Sequence, residues 1–190
     1  LSLTDFSGFA EHPENWTIAG EAFVDRSAEM KMEYSSGQGV LVNTAPAPGG
    51  EDLFTAFEHG DIELELDVMV PKGSNSGIYF QGRYEIQVFD SWGVEDPQHL
   101  DMGGIYQRWD PSKPEGQKGY EGHAPAVNAA KSPGLWQHYK IIFHAPQFDA
   151  AGNKIKNASF GEVWLNGIKL HENVSLNGPT RAAAFEDEVA

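Results

Sequence analysis

Residues 75–90 read Asn-Ser-Gly-Ile-Tyr-Phe-Gln-Gly-Arg-Tyr-Glu-Ile-Gln-Val-Phe-Asp and carry the densest set of reactive groups in the chain. Two strand-like runs flank Gln81-Gly82-Arg83. Successive strand side chains point to opposite faces. Ile78, Phe80, Ile86 and Val88 can therefore enter a core while Tyr79, Gln81, Glu85 and Gln87 gather on the other side. Asp90 closes the second run beside Ser91-Trp92-Gly93. A carboxylate on a sheet face ringed by Tyr79, Trp92, Tyr106 and Trp109 would be partly desolvated, which raises its pKa toward values useful for proton transfer. Aromatic rings give sugar C–H faces a flat apolar platform, and amides and carboxylates pair with hydroxyls. The competing reading is an ordinary half-exposed strand with Glu85 in water.

Other clusters are less specific. Glu63, Glu65 and Asp67 form a denser carboxylate row, but no aromatic or amide group accompanies it. Its pattern is that of a water-facing strand. Gln87 occupies the place two beyond Glu85 where a two-carboxylate glycosidase could hold its second acid, which weakens that mechanism. The seven histidines are scattered and make no ligand pair diagnostic of a metal. His99, near Asp96 and Asp101, and His123 are the two expected to approach a cleft, with loop hydrogen bonds as their default role. Asn75-Ser76-Gly77 is a turn by composition, equally suited to structure and to ligand contact.

The elements that position these groups are strands. Residues 61–70 alternate strictly, with Ile62, Leu64, Leu66 and Val68 on one face and four acids on the other. Residues 138–144 place Tyr139, Ile141 and Phe143 together. Residues 161–165 run into Asn166-Gly167, a strong hairpin turn, with 168–170 as the return strand. Weaker strands are expected at 16–24, 29–34, 39–43 and 103–108. Residues 109–135, punctuated by Pro111, Pro114, Gly116, Gly119, Gly122, Pro125, Pro133 and Gly134, read as a long loop, and loops of that length are often functional. The pattern predicts an all-β antiparallel sandwich or jelly roll.

A chain of 190 residues with 40% hydrophobic and 12% aromatic residues fits one globular domain over residues 1–190. The net charge of −15 argues against nucleic acid, and no run reaches the length of a membrane span. With no cysteine, disulfides and Cys-bound zinc are excluded. Asn15, Asn157 and Asn173 head Asn-x-Ser/Thr triplets that chance accounts for. The chain begins at Leu1 without Met or a signal-peptide pattern and reads as processed or trimmed. The oligomeric state is not legible.

The stretch GDIELELDVMVPKGSNSGIYFQGRYEIQVFDSWG (60–93) resembles the signature of the 3-keto-disaccharide hydrolase family, a domain on a concanavalin A-like jelly roll. LTDFSGFAEHPENWTI (3–18), MGGIYQ (102–107), SPGLWQHYKIIFHAPQFDAAGNK (132–154) and VWLNGIKLHENVSLNGPT (163–180) extend the resemblance over nearly the whole chain. It implies a carbohydrate-active enzyme that cleaves 3-keto-glycosides by proton abstraction, elimination and hydration. The same resemblance implies a sugar or glycoside as partner, a bacterial periplasmic or secreted location, and no certain cofactor, with a divalent metal ion left open. Carried onto matching positions, Glu85 is the leading base or metal ligand, and Gln87 and Asp90 complete the catalytic candidates. Asn75, Tyr79, Gln81, Arg83, Trp92, Tyr106, Trp109 and His123 are the candidates for holding substrate. Members of the family continue past the Gly-Pro-Thr segment into a final strand, so this chain is expected to lack that strand and to be truncated at its C-terminus. The alternative from another class is a non-catalytic carbohydrate-binding module, and a third is a structural or partner-binding sandwich.

Overall fold

The computed structural model describes residues 1–45 and 50–188. Twelve strands follow in chain order: β1 (Trp16–Val24), β2 (Met32–Asn43), β3 (Ile62–Val68), β4 (Asn75–Phe80), β5 (Tyr84–Phe89), β6 (Arg108–Trp109), β7 (Gly119–Tyr120), β8 (Gln137–His144), β9 (Gln147–Phe148), β10 (Lys154–Lys156), β11 (Ala158–Leu165) and β12 (Ile168–Leu176). Every pairing between them is antiparallel. The described residues form an all-β sandwich, and no helix among them is long and apolar enough to cross a membrane.

One layer is a four-stranded sheet in the order β12-β11-β8-β3. The facing layer is the β4–β5 hairpin, widened by residues 103–106, which exchange backbone hydrogen bonds with β5. Alternation decides what lies between the layers. Phe80, Tyr84, Ile86 and Val88 meet Tyr139, Ile141 and Phe143 of β8 and Phe160, Val163 and Leu165 of β11. Phe80 and Phe143 stack at 5.0 Å, and Phe160 meets the Phe80 ring edge-on at 5.3 Å. Such pairs are worth about 0.5–1.5 kcal/mol beyond their buried area.

The acidic row of β3 points away from this core. Lys140 on β8 bridges Glu63 at 2.5 Å and Glu65 at 3.4 Å, and His138 reaches Asp67 at 2.9 Å. It is a solvated outer face, as its composition suggested. The Asn166-Gly167 turn closes β11 to β12 with φ of 53° and 82°, the left-handed pair that a two-residue hairpin requires.

Four details differ from the sequence reading. Asn75-Ser76-Gly77, a turn by composition, is the first half of β4, where pairing with Phe89, Val88 and Gln87 overrides the local turn preference. The two strands expected at 29–34 and 39–43 are one long strand, β2, whose register against β1 shifts between Ala19 and Glu21. The strand expected at 103–108 is mostly a bridged segment, joined to β5 and to His123 through Ile105. Residues 109–135 are largely loop, but β6 and β7 fold the start of that stretch into a small ribbon.

Beyond β12 the chain packs back across the β4–β5 turn. Thr180 N donates to Arg83 O at 2.9 Å, and Ala184 N donates to Gly82 O at 2.9 Å. Farther along, the Tyr84 hydroxyl donates to the Glu188 carboxylate, which also pairs with Lys154.

Candidate active site

The side of β4–β5 opposite the core is built by the hairpin register. Tyr79 stands across from Glu85, and Gly77 across from Gln87. All four belong to the odd-numbered set, so their side chains share one face. Glu85 is 6% exposed and Gln87 3%, although both point away from the core. What shelters Glu85 is a close approach to the neighbouring strand. A Cβ placed at Gly77 would lie 2.8 Å from Cδ and Cγ of Glu85 and would overlap its Oε1. Only a residue without a side chain lets the carboxyl lie flat on the sheet at that point.

Hydrogen bonding fixes the group in place. With its amide nitrogen turned inward, Gln87 donates to Glu85 Oε1 and to Ser76 O, each at 3.1 Å. The Tyr79 hydroxyl lies between two acceptors, the Glu85 carboxyl and Arg181 O at 3.4 Å, and its single proton serves one or the other. The Glu85 backbone is held as well: its N donates to Thr180 Oγ1 at 3.2 Å, and its O accepts from Tyr106 N at 3.2 Å.

Burial pushes the Glu85 pKa from 4.5 up to about 7; the Tyr79 hydrogen bond pulls it down in part, and the Asp52 charge adds a smaller upward push. Tyr79 is driven upward by its own burial and by the Glu85 charge, so it stays a protonated donor. The His99 ring lies 5.8 Å from the Tyr106 ring, and burial lowers its pKa, which favours neutral imidazole. The face therefore joins one carboxylate poised near neutrality to phenol and amide donors. That set can remove a proton and steady the negative charge that results.

The other candidates have separate posts. Tyr106 joins the face through His99 and Tyr79. Trp109 stands farther along the same segment with one side covered by the Arg181 guanidinium, 3.8 Å from the ring centroid. Gln81 takes a left-handed turn conformation, φ 53°, and its amide donates to His59 O at 2.9 Å. Arg83 turns to the C-terminal segment, pairing with Asp187 at 3.6 Å and lying over Phe185. Asp90 caps the strand end, accepting from Gly73 N at 2.9 Å and Trp92 N at 3.3 Å. Trp92 is 61% exposed on the following turn, and Asn75 is exposed where β4 begins.

His123 pairs with Ile105 through its backbone and lines a cavity of about 120 Å³ together with Arg108, Glu121 and Asn177. This cavity lies beside β12, at the seam between the layers. The 109–135 loop touches the Glu85 neighbourhood through glycines: a Cβ at Gly122 would strike His99, and one at Gly119 would strike Gln107. Among the described residues no three His, Asp or Glu side chains converge in a way that could hold a metal ion, so no step is assigned to one.

Asp52, Gln107, Thr180 and Arg181 were not singled out from sequence, and Gly77 was read only as part of a turn. Gly77 did carry a signal, since a glycine inside a strand marks a close approach. The other four come near through tertiary folding alone.

No curated protein matches the chain. Among solved structures, a candidate glycosyl hydrolase from Parabacteroides distasonis ATCC 8503, determined at 2.13 Å, is similar to it with a TM-score of 0.51 and 28% identity. The match covers 71% of this chain and 54% of that one, so the chain spans about half the length of that protein. The family model for the 3-keto-alpha-glucoside-1,2-lyase-like domain matches residues 4–188, and the chain belongs to that family.

Proposed function

We propose that the chain is a carbohydrate-active enzyme that cleaves the glycosidic bond of 3-keto-glycosides by elimination followed by hydration. The observation that carries this reading is the isolated, buried Glu85, with a pKa near 7 and with Tyr79 and Gln87 hydrogen-bonded to it. A C3 ketone acidifies the hydrogen on C2. Glu85 takes that proton, and the C2–H electron pair moves into the ring carbon framework as an enolate. The enolate re-forms the ketone and expels the C1 oxygen substituent, which takes the proton back from Glu85 and departs as an alcohol, leaving a double bond between C1 and C2. Water then adds at C1, a proton returns to C2, and the free 3-keto sugar results. One base suffices for this route, in contrast to the carboxylate pair of direct glycoside hydrolysis. Tyr79, held protonated, would turn its one hydroxyl proton toward the developing negative charge once Glu85 has taken the C2 proton. Membership of the 3-keto-alpha-glucoside-1,2-lyase-like family and the likeness to a candidate glycosyl hydrolase support the substrate class.

The test is incubation with a 3-keto-glucoside, comparing the unmodified chain with Glu85→Gln. Release of the leaving group by the former and its loss in the variant is the expected result. Equal release by both removes Glu85 from the mechanism. Saturable binding of unoxidised glycans without any turnover would favour the binding-module alternative.

A further inference from the structure

We propose that Arg181, seated on Trp109, recognises a carboxylate carried by the leaving group of the glycoside; this rests on the elimination reading of the Glu85 face.

The residue is fixed at the margin of that face by two backbone contacts. Its N donates to Gln107 O at 2.8 Å, and its O lies 3.4 Å from the Tyr79 hydroxyl, which stands between it and the Glu85 carboxyl. Its side chain leaves this anchor and lays the guanidinium over Trp109 at 3.8 Å. A guanidinium over a ring face keeps N–H groups free to bond an anion. Two of them match a carboxylate with two parallel hydrogen bonds.

Charge and position together pick out this cation: among the described residues Arg26, Lys113, Lys131 and Lys156 also have no acid within 4.0 Å, but Arg181 is the one whose backbone touches Tyr79. The chain holds 28 acids against 13 Lys and Arg. Arg83, Arg108, Lys118, Lys140, Lys154 and Lys169 all pair with carboxylates. Among the described residues Arg181 has no acid within 4.0 Å, despite the excess of negative groups. An arginine stacked beside the site, with no acid partner among the described residues of an acidic protein, is an anchor for an anion that arrives with the substrate. The net charge repels anions at long range, so the contact acts on selectivity and residence, and leaves the rate of encounter slow. With C2 over Glu85, the C1 substituent sits on the adjoining carbon and would reach a group at the margin of the face, so the carboxylate is assigned to the leaving group.

The experiment uses two 3-keto-glucosides, one with a 4-carboxyphenyl and one with a 4-carbamoylphenyl leaving group, which are alike in shape and differ in charge. KM and kcat are measured for the unmodified chain, Arg181→Gln and Arg181→Lys. Arg181→Gln is expected to raise KM for the carboxylate substrate about tenfold more than for the amide, with kcat moving in parallel for the two. Arg181→Lys is expected to recover part of the difference. An equal effect on both substrates would overturn the inference. If the unmodified chain turns over neither compound, the elimination reading fails on its own. The inference is then decided by equilibrium binding of the unoxidised 4-carboxyphenyl and 4-carbamoylphenyl glucosides. A preference for the carboxylate that vanishes in Arg181→Gln upholds it, and no preference ends it.

Discussion

Replacing Glu85 with Gln should make the protein more stable at alkaline pH and leave it unchanged in acid. The carboxyl is 6% exposed and its pKa rises from 4.5 to about 7 on folding. Below the unfolded value, both states hold the proton and the group contributes no pH dependence. Between the two values the native state holds a proton that the unfolded state has released, so stability falls as pH rises. Above pH 7 the whole cost is present. One pKa unit corresponds to about 1.36 kcal/mol, so the cost is about 3 kcal/mol. In a chain of this size that is a difference of roughly 6–12 °C in melting temperature. Gln has nearly the same shape, can still bond Tyr79 and Gln87, and carries no charge at any pH. Urea unfolding of both proteins at pH 4.5 and pH 8.5 isolates the effect, because pH-independent differences in packing cancel between the two conditions. The variant should gain about 3 kcal/mol on its parent from the lower pH to the higher. A gap that changes by less than about 1 kcal/mol would show that Glu85 is not desolvated, and the argument for it as a base near neutrality would fall with it. The same group should give kcat/KM on a 3-keto-glucoside a rising limb with its inflection near pH 7.

Three further outcomes are expected. In Tyr79→Phe the hydrogen bond that lowers the Glu85 pKa is gone, so the inflection in the pH–rate profile should move upward; an unchanged inflection would separate the two residues. In Gly77→Ala the added methyl meets Glu85 atoms at 2.8 Å and closer, which should cost about 1–3 kcal/mol in denaturant unfolding and displace the carboxyl, with a large loss of kcat. His171 is buried, donates from Nε2 to Gly103 O at 2.9 Å, and has its pKa lowered to about 4 by burial. The unfolded chain therefore takes up a proton below pH 6.5 that the native state refuses, and stability drops as pH falls from 6.5 toward 4. His171→Gln should lose about 3 kcal/mol less than its parent across that interval, as read by urea unfolding at both ends.

Alternation made most of the fold legible. Ile62, Leu64, Leu66 and Val68 on β3, and Phe80, Ile86 and Val88 on the hairpin, declare their face through a period of two, and the core follows. The same parity located Tyr79, Glu85 and Gln87, and it assigned the Glu63 row to water. Parity stops where a strand stops. Gln81 lies one residue past β4 and has a left-handed φ, so its side chain serves the turn and leaves the face on which counting placed it. Arg83 and Asp90 are likewise drawn into turn and tail contacts. The approach of Tyr106, Gln107 and Arg181 depends on residues 103–106 joining β5 and on the tail crossing the hairpin turn, and no local pattern encodes either event.

The β4–β5 hairpin serves two masters, since its even positions fill the interior while its odd positions carry the reactive group. A substitution at Ile86 or Val88 that lets the sheet sag would also tilt Glu85, and a laboratory search for new specificity that randomised this ribbon would lose folding and turnover together. Diversity is better introduced at the margin, around Trp109, the 110–118 segment and Arg181, where side chains can change shape and charge while the platform beneath keeps its register.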